Sequence, residues 1–348
     1  MMDNNLIYEF HRAWGDRVAS GVIRQAFEDF RVVETLSFKP SGQGDHVYLY
    51  IEKIGANTDW VAGQLASLCN LKQVDIGYAG LKDRNAVTQQ WFSLHMPNQS
   101  EPDWSSLPNE VRVLSKTRHE KKLKTGAIKQ NNFELCIRDL ECDASVLEQR
   151  LNNIQAQGVP NYFGEQRFGR NNANVNRFIA TNGNRKRMKR QQRGILISSA
   201  RSYIFNHILS KRILLNNWNQ IIEGDVLMLD GSRSVFIPKA EDDLQQRLTD
   251  LKIHPTAVLW GRGREMIAGE AAKIANEVIE SNLHITLALD KIGADLSHRA
   301  MRMQVKNMKW RIENDQLKIS FSLISGSYAT SVLSEFLEIK DKNALISI

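Results

Sequence analysis

The stretch from residue 74 to residue 96 constrains the fold more than any other part of the sequence. Apolar residues alternate with polar or small ones at positions 74–78 and again at positions 92–96. This period of two predicts two β-strands, and Gly80 in the segment between them favours a tight loop. The chain therefore contains a strand, a loop and a second strand, with a sheet holding the loop at both ends.

The loop presents one acidic side chain between two basic ones. Asp83 lies between Lys82 and Arg84, and neighbouring cations favour an ionised carboxylate. An ionised carboxylate on a loop can act as a nucleophile or stabilise positive charge, rather than donate a proton. For the residues by themselves, the alternative is an aspartate that bonds its own loop and faces water.

The same segment resembles the signature of the tRNA pseudouridine synthase D (TruD) family. Residues 80–91 match the family pattern Gly-x-Lys-Asp-[Arg/Lys]-x-Ala-Val-Thr-x-Gln-Trp, in which the aspartate is catalytic. The chain is similar to further family motifs at residues 161–169, 199–206 and 326–332. The resemblance therefore covers the beginning, middle and end of the chain, and it implies that Asp83 is the catalytic residue.

The resemblance also implies a fold class and a domain organisation. Members of the family have an α+β fold, in which a pseudouridine synthase core with a mixed, largely antiparallel sheet is interrupted by an inserted α/β domain, the TRUD domain. We therefore expect residues 1–157 and 306–348 to form the catalytic core and residues 158–305 to form the insertion. The length of 348 residues independently favours two domains, because one ordinary domain has ~100 to 200 residues.

Residue periodicity predicts further elements along the chain. Strands are expected where apolar residues recur at every second position, and helices where they recur at every third or fourth position. The predicted strands are 46–52, 133–138 and the two arms of a hairpin that turns at Asp230-Gly231, and the predicted helices are 59–70, 144–155, 197–215 and one that follows Ser327 as its N-cap.

Charge and cysteine content restrict the partners and the compartment. Lys and Arg number 46 against 39 Asp and Glu, and the net charge of +7 suits a polyanionic partner. Three cysteines without a Cys-x-x-Cys pair favour a reducing compartment, and the histidines lack metal-ligand spacing. No apolar stretch is long enough to span a membrane. We expect a cytoplasmic, monomeric protein that binds neither metal nor membrane.

The reaction implied by the resemblance is the isomerisation of a uridine in tRNA, by family analogy uridine 13 of the D-arm, to pseudouridine. The N-glycosidic bond breaks, the uracil turns, and its carbon 5 rejoins the ribose, so no cofactor is required. Asp83 acts as a nucleophile or as a base on the sugar, and the residues leave both open. A target in a stem must be flipped out, and stacking surfaces must hold the detached base away from water.

Further substrate-contacting positions carry over from the family. Phe30, Asn131 and Tyr328 match such positions, and Phe133 is expected to line the same pocket. Bacterial relatives commonly have Phe where this chain has Tyr328, so its hydroxyl needs a partner. The alternative is a core position for the aromatic rings and a turn position for Asn131.

Basic side chains complete the expected site. The resemblance implies that Arg24 pairs with Asp83, because the family tends to have a basic residue at this position. Lys82 is expected either to orient Asp83 or to contact a phosphate. Two basic segments, residues 118–124 and 185–190, suit contacts with an RNA backbone, with plain solvated surface as the alternative for both.

Two other classes of protein remain compatible with the residues. An RNA-binding or RNA-folding protein could retain this scaffold without catalysis. A hydrolase could use Asp83 as a general base, and it would release free uracil or cleave RNA. The intact motif around Asp83 favours the isomerase over both.

Overall fold

The computed structural model describes residues 10–239 and 243–340. Contacts divide the chain into two compact units, each built from discontinuous segments. The sheet unit contains residues 19–144, 306–326 and 338–340, and the helical unit contains residues 10–18, 145–239, 243–305 and 327–337. The domain boundaries expected from the sequence differ from the boundaries of these two units, and the expected domains stay a prediction. Residues 1–9, 240–242 and 341–348 of the expected domains lie outside the described part of the chain.

Strands and helices both occur throughout the described residues. The strands are β1 (Ala19–Ile23), β2 (Phe30–Leu36), β3 (His46–Ile54), β4 (Ile76–Tyr78), β5 (Val87–His95), β6 (Val111–His119), β7 (Ile128–Cys142), β8 (Val159–Pro160), β9 (Leu227–Leu229), β10 (Val235–Phe236), β11 (Ile253–Leu259), β12 (Ser297–Ala300), β13 (Arg302–Met303), β14 (Lys306–Glu313), β15 (Gln316–Ile324) and β16 (Leu337–Ile339). The helices are α1 (Thr58–Leu68), α2 (Ala144–Gln157), α3 (Ala173–Thr181), α4 (Arg193–Leu214), α5 (Gln245–Thr249), α6 (Gly269–Ser281), α7 (Leu283–Ile292) and α8 (Ala329–Leu333).

The sheet unit is built around one large sheet. Its strand order is β14-β15-β7-β2-β5-β3-β6, with β4 added beside β5 and β1 beside β7. Strands β2 and β5 run parallel, whereas β7 pairs antiparallel with β1, β2 and β15, and β3 pairs antiparallel with β5 and β6. The mixed, largely antiparallel sheet expected from the sequence is therefore confirmed.

The register of the central strands determines which side chains share one face of this sheet. Val32 lies beside Thr88 on one side and beside Phe133 on the other, and Thr88 lies beside Lys53. Because side chains alternate across a strand, every second residue of these strands points to the same face. We call this the inner face, and it includes Phe30, Val32 and Glu34 of β2, Lys53 of β3, Thr88 and Gln90 of β5, and Asn131 and Phe133 of β7.

Helix α1 covers part of the inner face. Val61 and Leu65 on one side of the helix pack against Leu49 and Ile51 of β3 and Phe92 of β5 in one buried cluster. Burial of this apolar surface is the main force that holds the helix on the sheet. The N-terminus of α1 is thereby fixed close to the end of β3.

The helical unit has its own apolar core around α4. Side chains of α3, α4, α6 and α7 form one buried cluster, in which Phe178, Phe205, Ala275 and Leu289 are members from the four helices. Strands β10, β9, β11 and β12 form a small antiparallel sheet in this unit. The hairpin predicted around Asp230-Gly231 is confirmed by the antiparallel pair of β9 and β10.

The strand, loop and strand predicted around Asp83 are confirmed. Strands β4 and β5 pair antiparallel, and Asp83 lies in the loop between them. Gly77 in β4 admits a close approach of another segment, since a Cβ at this position would lie 2.5 Å from the carbonyl oxygen of Leu123. The strand begins later than the alternation indicates, because Val74 lies in a 3-10 turn, Gln73–Asp75.

The helices predicted at 59–70, 144–155 and 197–215 are confirmed as α1, α2 and α4. The predicted N-cap of the last helix is wrong. Tyr328, with an extended backbone, occupies the N-cap position instead of Ser327, and α8 ends at Leu333. The apolar residues beyond it do not continue the helix, because the chain enters β16 at Leu337.

Candidate active site

The loop between β4 and β5, residues 79–86, is held by two buried polar side chains. The amide nitrogen of Gln90 donates to the carbonyl oxygen of Gly80 at 3.3 Å. The hydroxyl of Thr58, the first residue of α1, donates to Gln90 Oε1 at 2.9 Å and accepts from the backbone N–H of Lys82 at 3.0 Å. The backbone just before Asp83 is therefore fixed by both the sheet and the helix. We call residues 79–86 the Asp83 loop.

A buried lysine holds the backbone of Asp83 itself. Lys53 Nζ donates to the carbonyl oxygen of Asp83 at 2.9 Å and to that of Ala56 at 2.7 Å. Burial lowers the pKa of Lys53 to about 8, and the charge of Asp83 opposes this shift. A cation therefore lies beneath the loop and joins it to the end of β3.

The carboxylate of Asp83 faces a second cation. Arg24 Nη2 lies 3.3 Å from Asp83 Oδ2, and the guanidinium stacks over the ring of Phe30 at 4.0 Å. The ring and the carboxylate together fix the guanidinium, because cation–π contact and charge-assisted hydrogen bonding favour one orientation. The expected pair of Arg24 and Asp83 is present, and the Asp83 side chain keeps 26% of its surface exposed.

Lys82 points away from solvent and forms a buried ion pair. Its Nζ lies 2.6 Å from Glu34 Oε2, and the two side chains are only 5% and 0% exposed. Glu34 Oε1 also accepts from the backbone N–H of Trp91 at 3.3 Å. Of the two roles expected for Lys82, this pairing favours orientation of the Asp83 loop over contact with a phosphate.

The two phenylalanines predicted to line the pocket lie in the core of the sheet unit. Phe30 is 2% exposed and Phe133 is 7% exposed. Their rings meet edge to face at 6.3 Å, and Phe133 also stacks on Phe321 at 5.4 Å. The structure therefore gives these rings packing partners within the protein, as the alternative interpretation of the sequence expected.

Asn131 differs from the two rings because its amide oxygen lacks a hydrogen-bond partner among the described residues. It lies beside Glu34 in the register of β7 and β2. Its Oδ1 is buried and accepts no hydrogen bond from any residue that the structure describes. A buried amide oxygen without a partner is energetically costly, so this atom is suited to a donor from a bound molecule.

Tyr328 belongs to the helical unit. Its hydroxyl accepts a hydrogen bond from Arg167 Nη2 at 3.2 Å, so the partner that a tyrosine needs is a protein side chain. The ring of Tyr328 meets the ring of Phe163 edge to face at 6.5 Å. The guanidinium of Arg299 stacks on the ring of Phe163 at 4.0 Å. Arg299 is half-buried, and desolvation lowers its pKa to about 10.

Two family-like motifs hold each other within the helical unit. The side-chain amide of Asn206 both donates to the carbonyl oxygen and accepts from the N–H of Phe163, each at 3.0 Å. Ser199 Oγ donates to the carbonyl oxygen of Arg167. The guanidinium of Arg167 in turn donates to Ser198 and Tyr328, and these contacts are those of a residue that fixes local structure.

The side chains that hold the Asp83 loop were not found by sequence reasoning, although a signal was present. In β3, Lys53 continues the apolar alternation of Val47, Leu49 and Ile51, and in β2 Glu34 occupies the corresponding position between two apolar residues. A charged residue on an otherwise apolar face of a strand predicts a buried charge with a specific partner.

The two basic segments differ in their internal contacts. In the first, Arg118 Nη1 donates to the carbonyl oxygen of Gly44 at 3.1 Å, so part of this segment is used for structure. In the second, residues 185–190, Met188 is buried while the five basic residues are exposed. The guanidinium of Arg185 in this cluster donates to the carbonyl oxygen of Ile292 at 2.6 Å.

No metal centre is visible among residues 10–239 and 243–340, where no three His, Cys, Asp or Glu side chains are grouped to hold an ion. None of the helices in these residues has the length and apolar character needed to cross a bilayer. The expectations of a metal-free and cofactor-free reaction stay predictions.

The chain is similar to known proteins along almost its whole length. The family model described as tRNA pseudouridine synthase D (TruD) matches residues 11–182 and 180–336. Curated proteins named tRNA pseudouridine synthase D share 42% identity in Methylococcus capsulatus, over 94% of both chains, and 40% in Hydrogenovibrio crunogenus, over 95% of this chain and 96% of the relative.

The fold is shared with a solved structure as well. A crystal structure assigned to tRNA pseudouridine synthase D from Methanosarcina mazei aligns with a TM-score of 0.74 at 21% identity, covering 94% of this chain and 95% of the other. At this identity the likeness concerns the fold, whereas the sequence matches carry the family assignment. The chain belongs to the tRNA pseudouridine synthase D (TruD) family.

Proposed function

We propose that the protein isomerises a uridine of tRNA to pseudouridine, with uridine 13 of the D-arm as the target and Asp83 as the reacting carboxylate. The family and the similar curated proteins are named for the synthase activity. The role of Asp83 is supported by a side chain that solvent can reach and that contacts within the protein hold in place. Its side chain is partly exposed, while Arg24 binds the carboxylate and Lys53 binds the backbone carbonyl.

The chemistry needs one restrained carboxylate and a protected space. The bond between the ribose and uracil N1 breaks, the uracil turns, and a bond forms from its carbon 5 to the ribose. Carbon 5 loses a proton and N1 gains one, so the product is an isomer and no redox partner is needed. Asp83 either attacks the ribose or the uracil, or takes a proton from the sugar.

Contacts with the flipped base are the second part of the proposal. Asn131 Oδ1 is a buried acceptor without a donor among the described residues, and uracil presents an N3–H donor. Phe30 and Phe133 are buried, so we assign them the apolar floor under the site rather than a free stacking surface. Tyr328 remains the proposed stacking ring, and Lys82 supports the Asp83 loop through Glu34.

The test of this function is a map of pseudouridine in unmodified tRNA transcripts after incubation with the protein. We expect one new pseudouridine at position 13 and none in a matched transcript with cytidine at that position. Pseudouridine only at other positions would contradict the target. Binding without any pseudouridine would favour the RNA-binding alternative, and release of free uracil would favour a hydrolase. The proposal includes a monomeric, cytoplasmic enzyme without metal or cofactor.

The exposed basic cluster at residues 185–190 is proposed to contact the RNA backbone. We expect Lys186→Ala combined with Lys189→Ala to weaken tRNA binding, and to reduce the slope of log affinity against log salt concentration by about 1 to 2, since each phosphate contact contributes ~0.7 to 0.9. The rate for bound RNA should not change. Filter binding over a series of salt concentrations measures the slope.

A matched variant separates a specific patch from a general loss of charge. Lys252→Ala combined with Lys273→Ala removes two exposed lysines from the same unit, outside the cluster. We expect this variant to bind like the unchanged protein. Equal salt slopes for the two double variants would mean that the cluster at 185–190 is solvated surface.

A further inference from the structure

Lys53 is a charged residue at a position where the strand pattern requires an apolar one. It follows Val47, Leu49 and Ile51 on the inner face of β3, and it is 0% exposed. Burial of an ammonium group is unfavourable unless its protons find acceptors. A methionine or leucine would fill this space without that cost, so the charge itself needs an explanation.

The two hydrogen-bond acceptors of Lys53 explain why a charged residue is present at this position. Its two hydrogen bonds end on the carbonyl oxygen of Ala56, just before α1, and on the carbonyl oxygen of Asp83. Gln90 and Thr58 hold the Asp83 loop only as far as Lys82. Lys53 is therefore the group that extends this restraint to the backbone of Asp83.

We propose that Lys53 is a positioning residue for the isomerisation, which fixes the direction of the Asp83 carboxylate by holding the backbone carbonyl of the same residue. This inference rests on the proposed role of Asp83. Arg24 restrains the carboxylate, so the backbone and the side chain of one residue are fixed by separate cations. A restrained carboxylate reacts faster because less freedom is lost on reaching the reactive geometry.

The charge state of Lys53 gives the proposal a pH dependence. Burial lowers its pKa to about 8, with Asp83 raising the pKa and Lys82 lowering it. Above this pH the amine is neutral, and its bond to the Asp83 carbonyl is weaker because the charge no longer assists it. We therefore expect the rate for bound RNA to fall as the pH rises through about 8.

The stability of the fold changes in the opposite direction. In the folded state Lys53 loses its proton near pH 8, whereas in the unfolded chain it keeps the proton up to the ordinary value of 10.5. The buried charge of Lys53 therefore lowers the stability of the fold below pH 8. As the pH rises from about 8 to 10.5, the contribution of Lys53 makes the folded state more stable. A fall in rate above pH 8 is then not a consequence of loss of the fold through Lys53.

The experiment compares Lys53→Met with the unchanged protein on unmodified tRNA. Methionine keeps an unbranched side chain and removes the charge. In single-turnover reactions with excess enzyme we expect the rate to fall about 10- to 100-fold, the effect of one hydrogen bond to a charged group, with tRNA affinity unchanged. In Lys53→Met, the single-turnover rate should no longer fall as the pH rises above about 8. Lys72→Met, at an exposed position, is the control and should change neither quantity.

The possible outcomes separate this inference from the proposed function. If Lys53→Met reacts as fast as the unchanged protein while Asp83→Asn is inactive, the role of Lys53 is refuted and the function stands. If Asp83→Asn remains active, both are refuted. If Lys53→Met fails to fold, the proposal is tested on the unchanged protein by measuring the rate for bound RNA against pH. A rate that falls above about pH 8 supports the proposal, and a rate that stays constant well above pH 8 overturns it.

Discussion

In the Asp83→Asn variant we expect pseudouridine formation to fall by at least about 10³-fold, while the fold and the affinity for tRNA are retained. Asparagine has nearly the same shape, but it has no ionised oxygen that can attack the substrate or take a proton. The side chain is 26% exposed, so the change creates no cavity. The loss should therefore appear in the reaction step and not in binding.

The measurement is a time course of pseudouridine formation at saturating enzyme, together with tRNA binding and thermal unfolding of the variant. Arg24 loses a charged partner, so a modest decrease in melting temperature is expected. Asp139→Asn is a matched control, since Asp139 is exposed and its positive φ of 50° suits asparagine. Equal rates for Asp83→Asn and the unchanged protein would remove Asp83 from the mechanism.

The largest effect on stability is expected at the buried ion pair of Glu34 and Lys82. Glu34→Gln or Lys82→Met alone should lower the free energy of unfolding by about 3 to 5 kcal/mol, because each leaves one charge buried without its partner. The two side chains are 0% and 5% exposed, so water cannot replace the lost interaction. Glutamine at position 34 keeps an oxygen for the Trp91 amide and so tests the charge.

The double variant Glu34→Gln with Lys82→Met is the decisive member of this series. With both charges removed, no unpaired ion remains, and we expect the double variant to be more stable than the sum of the single effects predicts. Urea unfolding of the four proteins measures the difference. The exposed pair of Lys116 and Glu101 is the control, and Lys116→Met should cost at most about 1 kcal/mol. Additive effects at Glu34 and Lys82 would show that the two charges do not depend on each other.

Local periodicity was sufficient to predict the two strands on either side of the Asp83 loop. Alternation on both sides of Asp83 predicted two strands, and β4 and β5 are an antiparallel pair. The start of α8 was predicted one residue too early because Ser is a strong N-cap in isolation. In the structure Tyr328 has the extended backbone of the N-cap, and its hydroxyl is held by Arg167. A local preference was overridden by a contact that is distant in the sequence.

The predicted site residues show the same division between local and distant information. Arg24 lies beside Asp83, a pairing that the resemblance implied and that no local pattern contains. Lys82 was expected either to orient Asp83 or to contact a phosphate, and its neighbours in sequence could not reveal that Glu34 faces it from another strand. The proposed contact of Asn131 with the base depends on an amide oxygen without a partner among the described residues, which only the coordinates identify.

The sequence by itself determined the segment around Asp83: a loop between two strands, with Asp83 between two cations, in a pattern specific enough to indicate the family. Only the tertiary structure decided which groups hold that loop. Lys53 and Thr58 come from the end of β3 and the start of α1, and Glu34 from β2. They meet the loop because of the strand register and the packing of α1, and the period of a strand can indicate a buried charge but does not identify its partner.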